Sequence, residues 1–209
     1  MAEETDPTVG TGAAESLRAR TRRAVQAEVS AAAFDLFDRQ GFDGTTIEQI
    51  VAVTGLSRSS FFRYFRTKED LVVGGLEEHG TAIRDQLVAL PATESAWQTL
   101  HAALDAVLAG RDVDGRALRR SRLLATTPSL RARQMEKQEA WASLLVPEIA
   151  RRMDLPPDDP SQPAPAALVA AALACLGTAS QAWRQCDGAV PLSRLLARAM
   201  GGLQVASPE

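Results

Sequence analysis

Between Ser57 and Tyr64 the chain packs Ser57, Arg58, Ser59, Ser60, Arg63 and Tyr64 into eight positions, and Arg66 and Lys68 follow. From Ser57 to Lys68 there are four cations and no anion. Hydroxyl and guanidinium groups on one short helix can hydrogen-bond base edges and phosphate oxygens in a DNA groove. Enzyme chemistry has fewer footholds. His79 and His101 are the only histidines, and neither stands in a metal-ligand spacing. No G-x-S-x-G, Walker or C-x-x-C pattern occurs, and Gly10-x-Gly12 follows no strand. The expectation is a protein that is not an enzyme, with no catalytic residue, no metal and no cofactor.

Those side chains need short, sharply bounded helices to hold them. Thr46 fits an N-cap with Gln49 three residues on as its reciprocal partner. Ile47, Ile50 and Val51 give that helix an apolar face, and Gly55 breaks it. Ser57 caps the next helix, which Phe61 and Phe65 anchor from behind at i,i+4. Upstream, Val25, Val29, Ala32, Ala33, Leu36 and Phe37 recur at helical spacing, and Gly41 stops that helix. Short helix, tight turn, short helix is the arrangement of a helix-turn-helix, whose second helix enters the major groove. On spacing alone, a small bundle with a solvated basic face fits the same residues. A helical adaptor that binds only protein is a third reading, and it makes the Ser57–Lys68 surface incidental.

Thr67 caps a fourth helix with Asp70 at its third position. Longer helices are expected at about 67–88, 93–109, 115–126, 128–153, 164–186 and 191–204. Pro91, Gly110 and Gly115 mark breaks, and Thr127-Pro128 is a cap followed by a tolerated proline. Pro147 predicts a kink or break in the helix it lies in. Residues 155–165 carry five prolines and read as a loop. No strand-period segment and no internal repeat is present. The fold class is all-α, with about nine helices. A disordered tail covers 1–15, a three-helix DNA-binding unit 16–70, and a larger helical body 71–209. The acidic N-terminus is no signal peptide, and no run of 18 apolar residues exists, so no membrane span is predicted. A cytoplasmic location with reduced thiols follows. Cys175 and Cys186 lie roughly 16 Å apart on one helix, too far to pair.

The stretch AAAFDLFDRQGFDGTTIEQIVAVTGLSRSSFFRYFRTKEDL, Ala31 to Leu71, resembles the DNA-binding domain of the TetR/AcrR family of transcriptional regulators. The matching features are the LF-x-x-x-GF-x-x-TT-x-x-x-I spacing, the TGLS turn, the FFRYF helix end and the K-E-D-L entry to the fourth helix. A later piece, TTPSLRARQMEKQEAW, resembles an actinobacterial-type branch of these regulators. The resemblance implies a ligand-responsive regulator, a repressor released from its operator by a small molecule. It implies that Thr46 touches phosphate and that Ser57, Ser59 and Ser60 lie at the groove. It makes Arg58 the reader of a guanine, and Arg63, Tyr64 and Lys68 phosphate contacts. Phe62 stands where many members carry a tyrosine that hydrogen-bonds phosphate, so here it packs on the sugar-phosphate surface. Arg18, Arg20, Arg22 and Arg23, ahead of the first helix, form an arm on the backbone or a merely solvated helix start.

A homodimer on a palindromic double-stranded operator is implied as well. Its expected interface comprises the stripes Leu168, Ala172, Cys175, Leu176 and Ala179, then Leu192, Leu195, Leu196 and Ala199, the alternative being that these stripes pack within one chain. Candidate effector contacts are Trp97, His101, Leu104, Arg122, Met135, Trp141 and Trp183. The formal net charge is −3. It hides an uneven distribution, because residues 16–68 hold nine Lys/Arg and five Asp/Glu. The reading head is basic, and the tail and body carry the acidity.

Overall fold

A computed structural model of the chain describes residues 17–74, 76–91, 94–109 and 115–205. The tail expected at 1–15 lies outside them. Among the described residues all regular structure is helical. The helices are α1 (Leu17–Gln40), α2 (Ile47–Thr54), α3 (Arg58–Tyr64), α4 (Asp70–Val73), α5 (Leu76–Ala89), α6 (Ala96–Leu108), α7 (Arg116–Thr126), α8 (Pro128–Arg152), α9 (Ala164–Gln185) and α10 (Leu192–Val205). The chain divides into two compact units, the first ending at Arg66 rather than at residue 70. The reason is α4: its Leu71, Val72 and Val73 are buried, and it packs on α7 and α8.

In the first unit α1 buries Val29, Ala33, Phe34, Leu36 and Phe37. This is the expected stripe with Phe34 added, while Val25 and Ala32 are half-buried. Phe37 meets Phe34 and Phe42 at ring-centroid distances of 5.8 and 5.0 Å. Gly41 has φ +79°, a left-handed conformation that ends α1 at little cost to glycine. The Gln40 amide then ties the end of α1 to α2, donating to Gln49 Oε1 at 2.7 Å. Arg18, Arg20, Arg22 and Arg23 do not precede α1, as an arm would; they are exposed on its first turns.

In the second unit the single helix expected at 67–88 is two, α4 and α5, and Gly74 caps the end of α4. Glycine is the weakest helix former after proline. The expected cap at Thr67 forms only by half. Its N–H donates to Asp70 Oδ2 at 3.1 Å, but its hydroxyl is buried without a hydrogen-bond partner. Regular helix starts only at Asp70, because Glu69 at the cap makes no side-chain bond. α6 begins at a capping box between Ser95 and Gln98, slightly later than expected. α8 runs through Pro147 as one helix, so of the kink or break expected there the break does not occur.

The core of this unit gathers Ile83 and Leu87 of α5, Leu100 and Leu104 of α6, and Trp141, Leu145 and Ile149 of α8. Val169, Ala172, Cys175, Leu176 and Ala179 of α9 and Leu196 and Met200 of α10 complete it. Gly80 lies flat on the Trp141 indole, and a Cβ there would stand 2.4 Å from Trp141 Cδ1. The Arg152 guanidinium, at the end of α8, donates to the carbonyls of Leu87, Leu90 and Pro91, which terminate α5.

The stripes expected at a dimer interface divide between fully buried and half-buried positions of the single chain. Ala172, Cys175, Leu176, Ala179 and Leu196 are buried within one chain, and Leu168, Leu192, Leu195 and Ala199 pack against the same core. The exposed side of α9 carries Ala167, Ala170, Ala174, Gly177, Thr178 and Gln181. α9 is long and apolar enough to cross a membrane by length and composition, and a third of it is buried.

Candidate nucleic-acid interface

Thr46 caps α2 as expected. Its hydroxyl accepts from Gln49 N at 3.3 Å, and Gln49 Oε1 accepts from Thr46 N at 2.9 Å. Ile50 is fully buried beneath α2. Gly55 has φ +68°, which lets the chain turn sharply into α3. Ser57 caps α3 by accepting from Ser60 N at 3.1 Å. Its hydroxyl also lies 3.0 Å from those of Ser59 and Ser60, so the three serines form one cluster at the start of α3.

α3 is anchored on one side and open on the other. Phe61 is fully buried and Phe65 nearly so, their rings 5.3 Å apart. Arg58, Ser59, Phe62 and Arg63 are exposed. Tyr64 is half-buried between two cations, Arg22 at 5.9 Å and Arg63 at 5.2 Å from its ring centroid. Gln26 of α1 donates to the Tyr64 carbonyl at 3.3 Å, closing the end of α3 against α1. Lys68 is half-buried and belongs to the second unit.

Glu48 was missed by the sequence reading. Its carboxylate, on α2, pairs with Arg58 Nη1 across the turn, and both side chains are about two-thirds exposed. Arg58 also lies over the Phe62 ring, 5.7 Å from its centroid. The sequence signal for this is slight: an acid ten residues before an arginine, on the helix opposite.

The effector candidates are only partly brought together. Leu104 and Trp141 are core, with Trp97 packed against it. Trp183 is buried, Met135 is exposed, and Arg122 is exposed and paired with Asp187. His101 is half-buried, and its Nε2 is buried without a hydrogen-bond partner. A cleft of about 250 Å³ opens between α7, α8 and α9, lined by Leu124, Ala125, Arg131, Gln134, Gly177, Ser180 and Arg184. None of the candidates lines it. Burial pushes the Arg184 guanidinium below its usual pKa, and Arg184 donates to Ser121 Oγ at 3.0 Å. Among the described residues no group of three or more His, Cys, Asp or Glu is placed to hold a metal ion.

Residues 30–73 match the family described as bacterial regulatory proteins, tetR family, and residues 94–208 match the MftR C-terminal domain. The regulator TcmR of Streptomyces glaucescens is 30% identical over 168 residues, covering 77% of this chain and 74% of that one. MftR of Mycobacterium tuberculosis, named for the regulation of mycofactocin biosynthesis, is 27% identical over 139 residues, 66% of this chain and 70% of its own. A TetR/AcrR-family regulator from Aquifex aeolicus shares the fold at a TM-score of 0.56 and 18% identity, over 88% of this chain and 99% of that one. The second family match alone spans more than half of the chain, and the chain belongs to the TetR/AcrR family of helix-turn-helix transcriptional regulators.

Proposed function

We propose that this chain is a cytoplasmic, ligand-responsive repressor, a homodimer that holds a palindromic operator and releases it when a small molecule binds the second unit. The observation that carries the DNA-binding part is the two-sidedness of α3. Phe61 locks one side into the first unit, and Arg58, Ser59, Phe62 and Arg63 stand exposed on the other. On this reading Arg58 spans O6 and N7 of a guanine. Ser57, Ser59 and Ser60 lie at the groove, while Thr46, Arg63, Tyr64 and Lys68 meet phosphates and fix the register. Two heads read half-sites ~34–36 Å apart, or a multiple of that.

The dimer is proposed through the exposed small-residue side of α9, since the opposite side is already used within the chain. Effector binding is supported by His101, whose buried Nε2 lacks a partner that a ligand polar group would supply. Trp97 and Leu104 share the His101 face of α6 by helical period. Binding there releases DNA only by favouring the arrangement of the heads that fits the operator less well.

The test is fluorescence anisotropy on duplexes from the region beside the protein's own gene, at several salt concentrations. Arg58→Ala should relax sequence preference. Lys68→Ala should weaken binding to all duplexes about equally and lower the salt slope by roughly one. Identical effects of the two changes would overturn the assignment.

A further inference from the structure

Phe62 is 42% exposed on the open side of α3. Its ring is not loose, because it meets the buried Phe61 ring edge-on at 5.5 Å. One turn earlier on the same face stands Arg58, whose guanidinium carbon lies 5.7 Å over that ring. Glu48 takes Arg58 Nη1, which leaves Nη2 and Nε of the guanidinium as further donors. An exposed ion pair of this kind contributes little stability, but with the Phe62 ring on its other flank the guanidinium has a contact on each side. The three side chains therefore form a row: a carboxylate, a guanidinium paired with it, and an apolar ring beside the guanidinium.

A row of that composition has a complement in the major groove. Guanine offers O6 and N7 to a guanidinium, and thymine offers a methyl group to an apolar side chain. Phenylalanine has no hydroxyl for phosphate, so its ring gains most where water can be excluded from another apolar group. We infer that Phe62 is a specificity-determining residue that packs on the methyl group of a thymine adjacent to the guanine addressed by Arg58, with Glu48 holding Arg58 in register. This inference rests on the proposal that α3 reads the operator.

The experiment uses the full-length protein. Selection from random duplexes first yields its preferred half-site, which should contain a guanine beside a thymine. Deoxyuridine, which lacks only the methyl group, then replaces that thymine. The wild type should lose about fourfold in affinity, the effect of one buried methyl-sized group. Phe62→Ala, an exposed substitution, should bind the two duplexes alike, at the level of the wild type on deoxyuridine. Replacing the guanine by 7-deazaguanine should still weaken Phe62→Ala but leave Arg58→Ala indifferent. Equal losses on deoxyuridine in wild type and Phe62→Ala would overturn the inference. So would a Phe62→Ala defect that is the same on every sequence, which would place the ring on the sugar-phosphate surface. Failure to select any duplex would overturn the DNA-reading proposal itself, and the inference with it.

Discussion

At the scale of single residues, the proposed reading head makes Glu48 the residue that trades affinity against discrimination. A carboxylate beside a DNA surface repels phosphate, yet Glu48 pairs with the arginine that is proposed to address a base. Glu48→Ala should leave thermal stability within about 0.5 kcal/mol of wild type, as surface substitutions usually do. It should raise affinity for random-sequence duplex a few-fold while narrowing the gap to the selected half-site; anisotropy on both duplexes reads the two effects. A second prediction concerns Cys175. Burial pushes its thiol above the usual cysteine pKa, so little thiolate exists at neutral pH. Iodoacetamide at neutral pH should modify the half-buried Cys186 first. Labelling of Cys175 should grow as pH rises toward its raised pKa, or on unfolding, as followed by mass spectrometry. Much of the residue scale was readable from type and spacing, including the caps at Thr46 and Ser57 and the anchor at Phe61. The Glu48–Arg58 pair was not, because helical pair rules reach three or four residues and this contact crosses a turn between two helices.

At the scale of elements, α5 lies against α8 at Gly80 with no room for a side chain. The Trp141 indole occupies the place a side chain would need. Gly80→Ala raises helix propensity by about 1 kcal/mol but forces a large, buried ring to move. Overpacking costs about 1–3 kcal/mol, so the net effect should be destabilising, read as a lower urea midpoint with an unchanged slope. Trp141 fluorescence should shift in the same variant. Boundaries set by glycine and proline were legible, as at Gly41, Gly55 and Thr127-Pro128. The split between α4 and α5 was not, since Leu71, Val72 and Val73 continue an apolar pattern that suits one helix as well as two. Contacts such as Arg152 on the end of α5 join residues about sixty positions apart, and no local pattern reports them.

For the whole molecule, the all-α architecture followed from helical periodicity and the absence of strand patterning. The orientation of α9 did not. Alanine lies on both sides of that helix, so period alone cannot tell the core side from the outer side. Burial assigns Val169, Ala172, Cys175 and Ala179 inward and leaves Ala170 and Ala174 outward. On the proposed dimer, Ala174→Arg should retain helicity and Tm but sediment at half the mass, with operator affinity falling sharply. A variant of unchanged mass would move the interface elsewhere.

Pro147 has a consequence for how α8 holds together. A proline has no amide proton, so the hydrogen-bond ladder of α8 lacks one rung there, although the helix runs on. Leu145 on one side of the gap and Ile149 on the other are both in the core, so tertiary packing holds the helix on either side of the missing bond. The continuity of α8 is thus tertiary at that point and local elsewhere. When neighbouring helices loosen, α8 has a built-in seam, and its two lengths are free to open as separate cooperative units.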